Sequence, residues 1–122
     1  MKKKILIIDD DQDILDITNF LFEQKGYEVI ASLNTDILSE LFQITPDVIL
    51  LDDWLDGTSG HEACKILKAA EATKHIPVIM FSAVMQIEKV AEDCLADGFV
   101  KKPFDIDTLV EVIERHLTGT YK

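Results

Sequence analysis

Apolar positions along this chain follow two periods. Ile5–Ile8, Val48–Leu51 and Val78–Phe81 are unbroken apolar runs, the pattern of short strands covered on both faces. With two weaker runs they predict five strands, at Lys4–Asp9, Tyr27–Ala31, Val48–Asp52, Val78–Ser82 and Phe99–Lys101. The segments between them switch to helical spacing. Gln12–Lys25 sets Ile14, Leu15, Thr18, Leu21 and Phe22 on one stripe and stops at Gly26, a common residue just beyond a helix end. Asp36–Gln43 carries Ile37, Leu38 and Leu41; His61–Glu71 carries Ala63, Ile66 and Leu67; Ile87–Ala96 carries Val90, Ala91 and Leu95, with Gly98 beyond it. A fifth helix begins at Asp105 as N-cap and aligns Ile106, Leu109, Val110, Ile113 and Leu117.

Strand and helix alternate five times, which predicts an α/β fold: a doubly wound parallel sheet with helices on both faces and right-handed crossovers. In such a sheet the working site lies beyond the carboxyl ends of the strands. Polar groups collect on that edge. Asp9 and Asp10 end the first strand, Asp52 the third and Ser82 the fourth, and Lys102 follows the fifth. Two buried strands therefore deliver clustered carboxylates to one place. A carboxylate pair about 4 Å apart repels by roughly 4 kcal/mol at an effective dielectric near 20, so something must neutralise that charge for the clusters to meet.

Composition narrows the class. At 122 residues and 48% hydrophobic, residues 1–122 suit one domain with one core. The apolar runs are too short for a membrane span, and the start "MKKKILII" breaks into aspartates too soon for a signal peptide; a cytoplasmic protein without a membrane partner is expected. Cys64 and Cys94 lack metal-ligand spacing and read as reduced, mostly buried thiols. His61, His75 and His116 are separated and read as surface residues. A net charge of −11 argues against nucleic-acid binding by this chain.

Taken together, "LIIDDD", "PDVILLD", "FSA" and "GFVKKPF" resemble, in order and register, the receiver domain of two-component response regulators. The resemblance covers the whole chain. It implies the five-stranded, flavodoxin-like strand order 2-1-3-4-5 and matches Asp9 and Asp10 to the family's acidic pair. It matches Asp52 to the phospho-accepting aspartate, Ser82 to the conserved hydroxyl with Ala83 behind it, and Lys102-Pro103 to the Lys-Pro pair.

The function implied is that of a phospho-acceptor, not a metabolic enzyme. A histidine kinase or phosphotransfer protein would hand a phosphoryl group to Asp52, and the domain would switch conformation to control a partner protein. Asp10, Asp52 and the carbonyl of Trp54 would hold Mg²⁺, with Asp9 acting through a water; this oxygen-only set suits that ion. Lys102 would pair with one phosphoryl oxygen, and the Ser82 hydroxyl and Ala83 amide would bind another. By the same resemblance the Lys102–Pro103 bond is cis, Phe99 occupies an aromatic switch position that packing alone would also explain, and the output face is helix four, strand five and helix five. A phosphorylation-linked homodimer is compatible with it. Trp54 and Val84 would border the approach of hydrolytic water and, lacking a carboxylate or amide, give a long-lived phosphorylated form.

Neighbouring residues read more plainly. Asp11 and Asp53 are loop or capping residues, with Asp11 or Asp13 capping the first helix, and Lys101 is a solvated neighbour. The chain departs from the family at Asp56, where proline is usual four residues after the acceptor, and at the bulky Trp54. Two other classes compete: a pseudo-receiver that only binds, against which the intact acidic, hydroxyl and lysine set argues, and a Mg²⁺-dependent aspartyl phosphohydrolase. "DDDQD" imitates the latter's first motif without its hydroxyl residue.

Overall fold

The computed structural model describes residues 2–55, 58–82, 87–102 and 105–117, with backbone alone at 54, 55, 58 and 59. Five strands, β1 Lys4–Ile8, β2 Glu28–Ser32, β3 Val48–Asp52, β4 Val78–Ser82 and β5 Gly98–Lys101, form one sheet in the order β2-β1-β3-β4-β5. Every adjacent pair is parallel, as the alternation of strands and helices requires. The register aligns Ile8 with Leu51, Asp52 with Phe81 and Ser82 with Lys101, so the strand ends that carry the polar residues stand side by side.

Successive strand residues face opposite layers, and the core divides accordingly. Leu6, Ile8, Ile49, Leu51, Val78 and Met80 meet α2 (Leu41–Ile44), α3 (Gly60–Ala69) and α4 (Ile87–Asp93). Ile5, Ile7, Val48, Leu50, Ile79 and Phe81 meet α1 (Gln12–Gln24) and α5 (Ile106–Leu117). All residues of β3 and β4 are buried. Each large aliphatic side chain so enclosed contributes about 1.5–3 kcal/mol, which explains why the central strands read as unbroken apolar runs. The sheet holds rigid the edge on which the polar groups stand.

Helix starts follow their capping chemistry. The Asp11 side chain accepts from the Asp13 amide at 2.9 Å and caps α1. The Asp105 carbonyl accepts from the Leu109 amide and its carboxylate from the Thr108 hydroxyl, opening α5.

The second helix departs from its sequence expectation. In place of one helix over Asp36–Gln43, a 3₁₀ turn at Thr35–Glu40 leads into the four-residue α2. Asn34 caps the Asp36 amide and the Ser39 hydroxyl bonds the Asp36 carbonyl at 2.9 Å, local bonds that compete with the α-helical ladder. Thr45, at φ 48°, ends α2 ahead of Pro46, since a residue before proline avoids the right-handed helical region.

The fourth helix ends at Asp93, not Ala96, because the chain reverses through Leu95 at φ 64°. The Ala96 amide bonds the Ala91 carbonyl at 2.9 Å and the Leu95 amide the Glu92 carbonyl at 3.2 Å, the paired closing bonds of a Schellman motif. Leucine fills the position where glycine is usual, and its side chain lies outside, 68% exposed. Ile66, assigned by spacing to the inner stripe of α3, is likewise 68% exposed; the buried face of α3 is Ala63, Cys64 and Leu67. Ile106 opens α5 half-exposed, not in its apolar stripe.

Candidate functional site

At the carboxyl edge of the sheet Asp9 directly follows β1 and Asp52 ends β3, with 0% and 6% of their surface exposed. Asp9 is fixed from three sides. Its amide bonds the Ser32 carbonyl at 3.1 Å, its Oδ1 accepts the Asp11 amide at 2.9 Å, and its Oδ2 accepts the Lys102 ammonium at 2.7 Å. The Lys102 Nζ also donates to Asp52 Oδ1 at 3.2 Å, so one ammonium joins the two strand ends. β4 places that lysine: the Lys102 amide bonds the Ser82 carbonyl at 2.9 Å, and its Nζ lies 4.7 Å from the centre of the Phe81 ring. Ser82 is 3% exposed at the end of β4.

The charge is unevenly settled. Burial pushes the Asp52 carboxyl up to about 6, and the Asp9 charge adds to this, while Lys102 pulls the other way. Burial opposes the charge on Lys102, yet its bonds and attractions to Asp9 and Asp52 outweigh that and raise its pKa. Two buried carboxylates face one ammonium, and the exposed Asp10 adds a third acidic group: Asp9, Asp10 and Asp52 each offer an oxygen, all within 4.8 Å of one another. A hard divalent cation favours such an all-oxygen set and could be held there.

α3 closes the site from behind. The Gly60 amide bonds the Asp53 carbonyl at 2.7 Å, and a Cβ on Gly60 would collide with the Asp52 carbonyl oxygen. Only glycine lets the start of α3 press so closely on the strand end that aims Asp52. Trp54–Leu55 pairs antiparallel with Thr58–Ser59 in a short ribbon beside it.

The structure thus brings together Asp9, Asp10, Asp52, Ser82 and Lys102 from four separate segments. The Trp54 backbone follows two residues after the end of β3, and the Trp54 side chain, Ala83, Val84 and Pro103, with the expected cis bond, lie outside the described residues. Phe99 is half-buried against the α3–α4 layer. Of the histidines, His75 is exposed, His61 is partly buried and bonds Asp93 at 2.7 Å, and His116 is partly buried with Nδ1 2.9 Å from the Val112 carbonyl. Two contributors escape the sequence reading. Gly60 carries no signal there, and Phe81 appears only as strand core; the register of β4 against β3 and β5 shows its second role beneath the lysine.

No helix among the described residues is long and apolar enough to cross a membrane. Residues 5–114 match the response regulator receiver domain family. The chain is 34% identical over 96% of its length to the DNA-binding dual master transcriptional regulator RpaA of a Synechocystis species, of which it covers 50%. Among solved structures it resembles the receiver domain of NtrX from Brucella abortus, at 30% identity and TM-score 0.83 over 94% of this chain and 98% of that one. It also resembles a CheY-like receiver domain protein from Methanospirillum hungatei, at 28% identity and TM-score 0.85 over 97% and 95%. With its fold, its acidic edge and these likenesses in agreement, the chain belongs to the response regulator receiver domain family of two-component signalling.

Proposed function

We propose that this receiver takes a phosphoryl group from a phosphohistidine onto Asp52 and changes conformation as a result. The observation that carries this reading is the Lys102 ammonium held between Asp9 and Asp52, with Ser82 beside it, at the carboxyl edge of a rigid sheet. In the transfer an Asp52 oxygen attacks phosphorus, the phosphorus–nitrogen bond breaks, and the departing imidazole keeps the electron pair. Asp52 acts as the carboxylate. Lys102 follows the charge from Asp52 toward a phosphoryl oxygen, as the Ser82 hydroxyl and Ala83 amide bond another. Asp9 anchors Lys102 and would meet the ion through a water. Mg²⁺ held by Asp10, Asp52 and the Trp54 carbonyl would neutralise charge on the transferring group.

In this reading residues 1–122 act as one cytoplasmic receiver unit, with a histidine kinase or phosphotransfer protein upstream. A partner protein or effector domain downstream would be reached through α4, β5 and α5, with phosphorylation-linked pairing of two copies as one form of output. The chain spans half the length of the DNA-binding relative it matches, and its charge of −11 supports protein contact over DNA contact for this domain. Incubation with the small donor phosphoramidate tests the reading: one phosphate per chain should accumulate with Mg²⁺ and almost none with EDTA. Labelling indifferent to the metal, or release of free phosphate without a labelled intermediate, would replace it.

A further inference from the structure

Away from the acidic edge, the fold brings the two cysteines of the chain together. Cys64 lies on the buried face of α3 and Cys94 immediately after α4; both are free, and both are 0% exposed. The Cys64 thiol donates to the Cys94 carbonyl oxygen at 3.4 Å, and the Cys94 thiol reaches the Ala91 carbonyl at 3.6 Å. The pairing is held from outside: Asp93, next to Cys94, receives His61 at 2.7 Å and Lys65 at 3.4 Å. His61 and Lys65 flank Cys64 on the same stretch of α3.

We propose that Cys64 and Cys94 are a redox-active pair, closed into a disulfide between α3 and the end of α4 by a two-electron oxidant such as hydrogen peroxide. Cys94 adjoins the turn at Leu95, whereas the Cys64 proton is engaged by the Cys94 carbonyl; the mutual influence of the thiols also pushes Cys64 up and Cys94 down, so Cys94 is the first nucleophile. Its sulfur attacks peroxide, the O–O bond breaks, and a sulfenic acid and one water form. The Cys64 sulfur then attacks the sulfenic sulfur. The S–O bond breaks, the S–S bond forms, and the second water leaves with the Cys64 proton. Two thiols lose two electrons in all, and peroxide becomes two waters. Access requires local opening of the adjoining turn, where the non-glycine Leu95 sits at φ 64° with its side chain in solvent. In a reducing cytoplasm such a bond acts as a transient sensor, not as a permanent brace.

The test treats the full chain in native buffer with hydrogen peroxide, quenches it, denatures it and counts free thiols with a maleimide. Labelling should fall from two thiols per chain to none. The mass should drop by two hydrogens, a tryptic peptide should link Cys64 to Cys94, and dithiothreitol should restore both labels. In Cys64→Ser the disulfide cannot close and dimedone should trap the Cys94 sulfenic acid. The wild-type peptide map decides the matter even if that variant folds poorly. Retention of both thiols under native conditions would overturn the proposal. Disulfides only between chains, or over-oxidation of either cysteine without the linked peptide, would do the same.

Discussion

Replacing Asp52 by asparagine removes a charge but keeps an oxygen for Lys102, and in metal-free buffer the domain should become more stable. Asp52 is nearly enclosed, and burial, then the Asp9 charge, hold its carboxyl up at about 6 against an ordinary 3.8. The folded state therefore binds this proton more tightly than the unfolded chain does. The resulting penalty is fully present above the folded value and absent below the unfolded one, so it grows as pH rises through that window. Linkage sets its upper bound at about 3 kcal/mol at neutral pH, and the altered Lys102 pairing in the variant reduces the expected gain to about 2 kcal/mol. Near pH 5 the gain should shrink by about half. Urea unfolding with EDTA, at about pH 7.5 and pH 5, measures both. Mg²⁺ should then stabilise the wild type and leave Asp52→Asn almost unmoved. A variant no more stable than wild type at neutral pH, or a gain that does not shrink on acidification, would refute the reasoning.

Lys102→Ala leaves Asp9 and Asp52 buried without their shared cation and should cost about 3 kcal/mol; the loss should be smaller in an Asp52→Asn background, as a double-mutant cycle by urea unfolding would show. Gly60→Ala drives a methyl group into the Asp52 carbonyl, so a loss of about 3 kcal/mol or more should accompany loss of phosphate acceptance, read by denaturation and mass spectrometry. Leu95→Gly relieves a left-handed leucine whose side chain is already exposed and should stabilise by about 1 kcal/mol, or a few degrees by calorimetry.

The chain announced its central layers more clearly than its edges. Ile5–Ile8, Val48–Leu51 and Val78–Phe81 needed no context, because residues buried on both faces leave an unbroken apolar signature, and the carboxylates that follow them marked the site edge. Boundaries governed by local bonds were less visible. Neither the Ser39–Asp36 bond that turns the second helix toward 3₁₀ nor the left-handed Leu95 that cuts the fourth short leaves a trace in periodicity. Ile66 misled for the opposite reason: it sits at a helical spacing from buried residues yet points outward. At the site, the residue types and their order were legible. The ammonium shared between Asp9 and Asp52, and the backbone contact that makes Gly60 indispensable, arise from strands far apart in sequence and needed the fold.

The central claim is that Asp52 is the acceptor. Incubating the wild type and Asp52→Asn with acetyl phosphate and Mg²⁺, then mapping the phosphate by peptide mass spectrometry, tests it most directly. One phosphate on Asp52 in the wild type and none anywhere in the variant is the result predicted here. Undiminished labelling of Asp52→Asn, or phosphate on Asp53 in the wild type, would contradict it.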